Sequence, residues 1–153
     1  MSTSIAIAAP EIRVTFYPKM KVSERPIVSC SAQGVALMRQ QWDENFYELR
    51  EEARMLLLSN SCRALGIFTL SIGGLSGTVI DPAVVYLMAL RTPGTKSIIL
   101  AHNHPSGSKR PSNADLQLTE RIKMGSQLLG LQLQDHYILT SEDYLSMADE
   151  GLL

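Results

Sequence analysis

The chain has 153 residues, a length that fits one domain with a buried core. Hydrophobic residues make up 45% of the chain, charged residues 19%, and the net charge of -1 gives no indication of a nucleic-acid partner. No apolar run is long enough to cross a membrane, no signal peptide is expected, and two distant cysteines, Cys30 and Cys62, favour a cytoplasmic protein without disulfides.

The first third of the chain is predicted as an arm followed by a helix. Residues 1–30 contain prolines and scattered β-forming residues without a helical period, which indicates an extended N-terminal arm. Residues 31–153 are predicted as the folded domain. From Gln33 to Leu49, apolar residues recur every three or four positions, which predicts an amphipathic helix.

The middle of the chain is predicted as strands followed by a helix. The segment EEARMLLLSN ends in a continuous apolar run, which is typical of a strand covered on both faces. The segments ALGIFTLSIGG and SGTVID predict two more strands. In DPAVVYLMAL, Asp81 at the N-cap and Pro82 at the first helical position predict a helix.

The last third has the same alternation. KSIILAHNH predicts a strand, SNADLQLTERIKMGSQLLG predicts a helix that ends at Gly130, and LQLQDHYIL alternates as a strand before a short tail. Helices that alternate with strands predict one layered α/β domain with a mixed sheet. The order of the strands cannot be read from this pattern.

Two histidines stand two residues apart at the end of a predicted strand. Side chains at positions i and i+2 share one side of a strand, so His102 and His104 are expected to project together. Pro105 stops the ladder there, and Asp115 falls in the first turn of the next helix. Two imidazole nitrogens and one carboxylate oxygen would leave a tetrahedral zinc ion one open position, which is the pattern of catalytic sites.

The same residues also have an interpretation without a metal. Two histidines at a strand end are often only polar residues at a rim, and Ser112 with Asp115 three residues later is nearly a capping box. The two interpretations are compatible, because a serine hydroxyl offers one donor and two acceptor sites.

A zinc hydrolase needs a base near the metal, and two neighbouring acids are candidates. Strand alternation places Glu52 beside Arg54, whereas Glu51 falls on the apolar face of the strand without an obvious partner. An acid at such an edge is expected to be desolvated and to have a raised pKa, so Glu51 is predicted as the base. Without a metal, both would be solvated acids at a helix end.

The stretch HNHPSGSKRPSNAD resembles the signature of the JAMM (JAB/MPN) metalloproteases. It has the layout His-x-His-Pro, then Ser112, two residues and Asp115, with seven residues between His104 and Ser112. Asn103 and the HNHPSG segment resemble the RadC branch, and the similarity covers about residues 20–153. The resemblance implies the cytidine-deaminase-like MPN (JAB) fold, an α-β-α sandwich with a mixed sheet.

The resemblance also implies roles for individual residues. A Zn²⁺ ion would be held by His102, His104 and Asp115, with water as the fourth ligand. Glu51 would take a proton from that water, and Ser112 would donate a hydrogen bond to the oxyanion of a tetrahedral intermediate. The implied activity is hydrolysis of a peptide or isopeptide bond, with a protein or peptide as substrate and no membrane partner.

Two alternative functions and the role of one residue, His136, stay open. The RadC branch is traditionally linked to DNA repair, although neither the net charge nor any segment resembling its helix-hairpin-helix region supports that link here. A non-catalytic MPN binding module is the other alternative, and a homodimer is one assembly that stays open. His136, in QDHYIL, resembles an Asp-His pair of the branch and either orients a metal ligand or is a structural histidine.

Overall fold

A computed structural model describes residues 9–13, 15–74 and 79–153 as alternating helices and strands. In chain order, the main elements are α1 (Ser31–Arg39), β1 (Glu52–Leu58), β2 (Ala64–Ile72), α2 (Pro82–Arg91), β3 (Ser97–Asn103), α3 (Asn113–Leu128), β4 (Gln132–Leu139) and β5 (Tyr144–Ser146). Two single-turn 3-10 helices span Val22–Glu24 and Glu44–Phe46.

The strands form one mixed sheet in the order β2-β1-β3-β4-β5. Strands β3 and β4 run parallel, with α3 as the crossover between them, and the other described pairs are antiparallel. His102, near the end of β3, lies opposite Ala53 of β1 and Ile138 of β4. The end of β3 therefore lies in the middle of the sheet, next to the start of α3.

Helices cover both faces of the sheet, so the predicted α-β-α sandwich is confirmed. Strand β1 shows how the sequence achieves this, because its side chains alternate between two apolar clusters. Leu56 and Leu58 pack on the α1 side, whereas Met55 and Leu57 pack on the side of α2 and α3. Both sets are buried, which explains the continuous apolar run in the sequence.

The predicted helix from Gln33 to Leu49 is wrong in its second half. Helix α1 ends at Arg39, and a separate 3-10 turn begins after Asp43, whose side chain accepts a hydrogen bond from the backbone of Asn45. This local bond competes with continuation of the helix. Trp42 is buried without lying in a helix, and Leu49 is exposed, so the apolar spacing did not require one helix.

Two smaller predictions also need correction. In the segment predicted as the strand SGTVID, residues 79–81 lie in no strand, because Asp81 already caps α2; residues 76–78 lie outside the described residues. The predicted tail contains a short strand, β5, which pairs with the end of β4. The predicted caps of α2 and the turn at Gly130, which has a φ of 69°, are confirmed.

The end of the proposed N-terminal arm contacts the domain. Ile27 forms a β-bridge with Arg63, and Val28 is buried in the cluster under α1. The boundary at residue 30 stays a prediction. No helix in the described ranges has the length and apolar character needed to cross a membrane.

Candidate metal centre

Strand β3 sends alternate side chains to opposite faces of the sheet just where it ends. Ile98 and Leu100 pack on the side of α2 and α3, and His102 follows them at the same spacing. Asn103 points to the opposite side, where its amide contacts Trp42 under α1. The strand itself ends at Asn103, but the backbone N–H of His104 still donates to Leu139 at 2.8 Å, which keeps both imidazoles on the α3 side.

The structure brings the two histidines and the aspartate together. The Nε2 atoms of His102 and His104 are 2.9 Å apart. Asp115 Oδ1 lies 3.3 Å from Nε2 of His102, and Asp115 Oδ2 lies 3.6 Å from Nε2 of His104. Asp115 lies in the first turn of α3, which Ser112 caps.

These separations fit one tetrahedral metal ion. Zinc bonds to nitrogen and oxygen are about 2.0–2.1 Å long, and tetrahedral geometry then places neighbouring ligand atoms about 3.3 Å apart. The observed separations of 2.9, 3.3 and 3.6 Å, of which the last two involve different oxygens of Asp115, are close to that value. Two imidazoles and one carboxylate are also ligand types that zinc accepts.

Hydrogen bonding presents the correct nitrogen of His104 to the site. Its Nδ1 lies 2.7 Å from the backbone oxygen of Ser108. A carbonyl oxygen only accepts, so Nδ1 carries a proton, and Nε2 is the nitrogen that faces His102 and Asp115. The carboxylate of Asp115, whose Oδ2 atom lies 3.6 Å from Nε2, raises the pKa of His104, against the opposing effect of burial.

Asp115 is ionised in this environment. Burial opposes its ionisation, but His102, His104 and Ser112 together outweigh burial and hold the pKa of Asp115 below its usual range. An ionised carboxylate beside two imidazoles is a combination of groups that can bind a cation.

The two candidate bases occupy different environments. Glu51 is half-buried, and one of its carboxylate oxygens lies within 4.8 Å of ring nitrogens of His102 and His104. Extending the β1–β3 register by two residues places Glu51 opposite His104. Strand β1 keeps an unbroken register with β3, although its pairing with β2 contains two register shifts.

Glu52 is buried on the opposite face, in ion pairs. Its two carboxylate oxygens lie 2.8 Å from guanidinium nitrogens of Arg50 and Arg54, respectively. Arg54 was the partner expected from strand alternation, whereas Arg50 was not anticipated. The structure therefore brings Glu51 to the histidines and keeps Glu52 away from them.

Asn103 also contributes to the site, although no role for it was predicted from the sequence. Its fully buried amide makes hydrogen bonds with four groups on the segment that leads into β1. Oδ1 accepts from Trp42 Nε1 at 3.1 Å and from the backbone N–H of Glu52 at 2.7 Å, and Nδ2 donates to the carbonyl oxygens of Tyr47 and Arg50 at 2.8 and 2.9 Å. Its position in the sequence could have indicated this placement, because a residue between two predicted ligands on a strand faces the other side of the sheet.

The capping interpretation of Ser112 is confirmed, and it coexists with the cluster. Ser112 Oγ accepts from the backbone N–H of Asp115 at 3.1 Å, and Asp115 Oδ2 accepts from the backbone N–H of Ser112 at 2.7 Å. The hydroxyl proton of Ser112 also points to Asp115 Oδ2, at 2.7 Å. Donation to a substrate would require this hydroxyl to rotate.

A cleft of about 450 Å³ opens beside the cluster. Glu51 and His104 line it together with Arg110, an exposed residue of the loop that connects β3 to α3. This volume is in the usual range of small-ligand sites. The cleft therefore gives solvent and a ligand access to the predicted base and to one of the histidines.

Comparison with known proteins agrees with this arrangement. The chain is 41% identical over 102 residues to a UPF0758 protein of Flavobacterium johnsoniae, covering 67% of this chain and 44% of that protein. A UPF0758 protein of Desulfitobacterium hafniense is 36% identical over 129 residues (84% and 55%), and one of Porphyromonas gingivalis is 45% identical over 105 residues (68% and 46%). The chain thus spans about half the length of these curated relatives.

A protein-family model also matches the chain. Residues 28–152 match the model described as a RadC-like JAB domain, which is most of the chain and includes every residue of the cluster. The chain therefore belongs to the family of RadC-like JAB domain proteins.

Proposed function

We propose that the chain is a zinc-dependent hydrolase of the JAMM type that cleaves a peptide or isopeptide bond. The observation that supports this most is the convergence of donor atoms from His102, His104 and Asp115 within 3.6 Å, beside a cleft lined by Glu51. Membership of the RadC-like JAB family is consistent with it, although the curated relatives carry only the name UPF0758.

His102, His104 and Asp115 would hold the zinc ion. Zinc bound there would supply Lewis-acid chemistry, polarising the substrate carbonyl and making water nucleophilic at neutral pH. The tautomer of His104 and the ionised state of Asp115 suit this role, because both groups offer lone pairs to the same point.

Glu51 would act as the general base and then as the general acid. Its carboxylate is close to the histidines and is held by no ion pair in the described part of the chain, so it is free to accept a proton from water at the mouth of the cleft. The same carboxyl group would then give the proton to the leaving amine. Glu52 cannot substitute, because it is buried on the other face between two arginines.

Ser112 would donate a hydrogen bond to the oxyanion that forms when water attacks the amide carbonyl. Its hydroxyl lies beside Asp115 at the start of α3 and is exposed to solvent. Rotation of the hydroxyl away from Asp115 would release its one proton for this purpose. The backbone cap would keep the serine in place, because Oγ can accept from Asp115 N–H while it donates elsewhere.

The experiment combines metal analysis with hydrolysis. The full chain is purified without added metal, assayed for bound zinc, and screened against fluorogenic peptides and isopeptide-linked conjugates with and without a chelator. We expect one zinc per chain and hydrolysis that the chelator removes and added zinc restores, whereas His104→Ala should lack both. A protein that binds no zinc, or hydrolysis that survives complete removal of the metal, would contradict the proposal.

A further inference from the structure

A chain of hydrogen bonds runs from His102 into the core and returns to Asp115. His102 Nδ1 lies 2.8 Å from His136 Nε2, and His136 Nδ1 lies 2.7 Å from Thr119 Oγ1. Thr119 Oγ1 lies 2.6 Å from the backbone oxygen of Asp115, one turn earlier in α3. This series of hydrogen bonds joins β3, β4 and α3. The side chains of His136 and Thr119 are both buried.

The donor and the acceptor of each hydrogen bond follow from the last bond of the series, which Thr119 makes to the backbone oxygen of Asp115. The carbonyl oxygen of Asp115 can only accept, so the hydroxyl proton of Thr119 must lie between the two oxygens. The opposite direction would leave two oxygens 2.6 Å apart with no proton between them. With its proton committed, Thr119 Oγ1 accepts from His136, and the proton of His136 is therefore on Nδ1.

The donor and the acceptor of the hydrogen bond between His136 and His102 can be assigned in the same way. No carboxylate hydrogen-bonds to the ring of His136 in the described part of the chain, and the side chain is fully buried, so the ring is neutral. Its Nε2 then accepts from Nδ1–H of His102. The remaining nitrogen of His102, Nε2, keeps its lone pair and faces the carboxylate of Asp115 and Nε2 of His104.

We infer that Thr119 is a positioning residue for the metal: through His136, its hydroxyl sets the Nδ1–H tautomer of His102 and thereby presents the Nε2 lone pair to the ion. The inference rests on the proposed function for the presence of the metal. A threonine inside a helix commonly bonds the carbonyl one turn back, which is a local structural role. Here the hydroxyl has a second partner, and that partner contacts a predicted ligand.

Zinc affinity in matched variants gives the first test. Thr119→Val keeps the shape of the side chain but removes the hydroxyl, whereas Thr119→Ser keeps the hydroxyl. Ser126→Ala removes another buried hydroxyl of α3, one that takes no part in the hydrogen bonds between Thr119, His136 and His102. Competition with a chelator gives the zinc dissociation constant, and the absorption spectrum of the cobalt-substituted protein reports the ligand geometry. Melting temperatures of the metal-free variants show whether each protein is folded.

We expect Thr119→Val to weaken zinc binding about 10- to 100-fold and to alter the cobalt spectrum, as substitutions of groups that orient metal ligands commonly do. Thr119→Ser should restore both, and Ser126→Ala should leave both unchanged. Equal affinity in wild type and Thr119→Val, or an equal loss in Ser126→Ala, would overturn the inference.

Histidine tautomers in the metal-free protein give a test that does not depend on zinc. All three histidines of the chain belong to this network, so ¹⁵N NMR of the imidazole rings has few signals to assign. In the metal-free protein, we expect His102 and His136 to carry their proton on Nδ1, with His104 supplying the proton of the 2.9 Å contact between its Nε2 and that of His102. The His136 signal should change in Thr119→Val. A proton on Nε2 of His102 would overturn the inference that Thr119 sets its tautomer, whether or not zinc binds. Absence of zinc binding with the expected tautomers would contradict the proposed function alone.

Discussion

Asn103 holds the backbone of Glu52: its Oδ1 atom accepts the N–H of Glu52 at 2.7 Å. The same amide donates to the carbonyl oxygen of Arg50 at 2.9 Å, so it contacts the chain on both sides of Glu51. The residue between the two histidines therefore positions the predicted base, while the histidines on either side face the candidate metal site. One strand end sets the relative placement of ligands and base.

Replacement of Asn103 by alanine should destabilise the protein. The substitution leaves buried donors and acceptors without partners, among them the indole N–H of Trp42 and the N–H of Glu52. We expect a loss of at least about 2 kcal/mol in the free energy of unfolding, because each unsatisfied buried group costs about 1–3 kcal/mol. Urea denaturation measures it. Asn45→Ala, which removes an exposed amide, is the control and should change stability by less than about 0.5 kcal/mol.

Replacement of Glu51 by glutamine should separate metal binding from turnover. The amide keeps the size of the side chain but cannot accept a proton, so we expect zinc to stay bound while kcat falls about 100- to 10,000-fold. Glu44→Gln, at an exposed position before β1, should behave as wild type in both assays. Full activity in Glu51→Gln would show that another group is the base.

Replacement of Ser112 by glycine should affect turnover far more than stability. Glycine is tolerated at helix N-caps, so the loss of stability should be only a few tenths of a kcal/mol. Loss of the hydroxyl should lower kcat about 100- to 1,000-fold if it donates to the oxyanion. Ser112→Thr keeps a hydroxyl and should recover most of the rate. Equal rates for the glycine variant and wild type would exclude the oxyanion role.

Replacement of Gly34 by alanine tests how closely α1 approaches the sheet. A Cβ atom at this position would lie 2.3 Å from the hydroxyl oxygen of Tyr137, so the helix or the ring must move. We expect a loss of about 1–3 kcal/mol, the usual cost of overpacking, and partial recovery when Tyr137→Phe is added. Gly66→Ala should cost nothing by this mechanism, because no described atom lies within 4 Å of its Cβ position.

The sequence predicted the layered fold and the cluster because both depend on local periodicity. Alternation along a strand placed His102 and His104 on one face, and the start of the next helix placed Asp115 in its first turn. The same alternation separated Glu51 from Glu52, and it held because the register shifts of β1 lie in its pairing with β2 and not with β3.

The features that were missed depend on contacts between distant segments. The end of α1 at Arg39 is accompanied by hydrogen bonds from the Arg39 guanidinium to the carbonyl oxygens of Thr140 and Asp143. The four bonds of Asn103 and the bond between Thr119 and His136 likewise join segments that lie apart in the chain. Periodicity in one segment carries no information on such partners, so only the structure shows them.

X-ray absorption at the zinc edge shows directly whether two imidazoles and one carboxylate bind a single ion. In the full chain loaded with one equivalent of zinc, we expect about four nitrogen or oxygen neighbours at about 2.0–2.1 Å, with the outer-shell scattering of two imidazole rings. The imidazole signal should fall to one ring or vanish in His104→Ala. Sulfur neighbours at about 2.3 Å, or failure to retain zinc, would rule out this metal site.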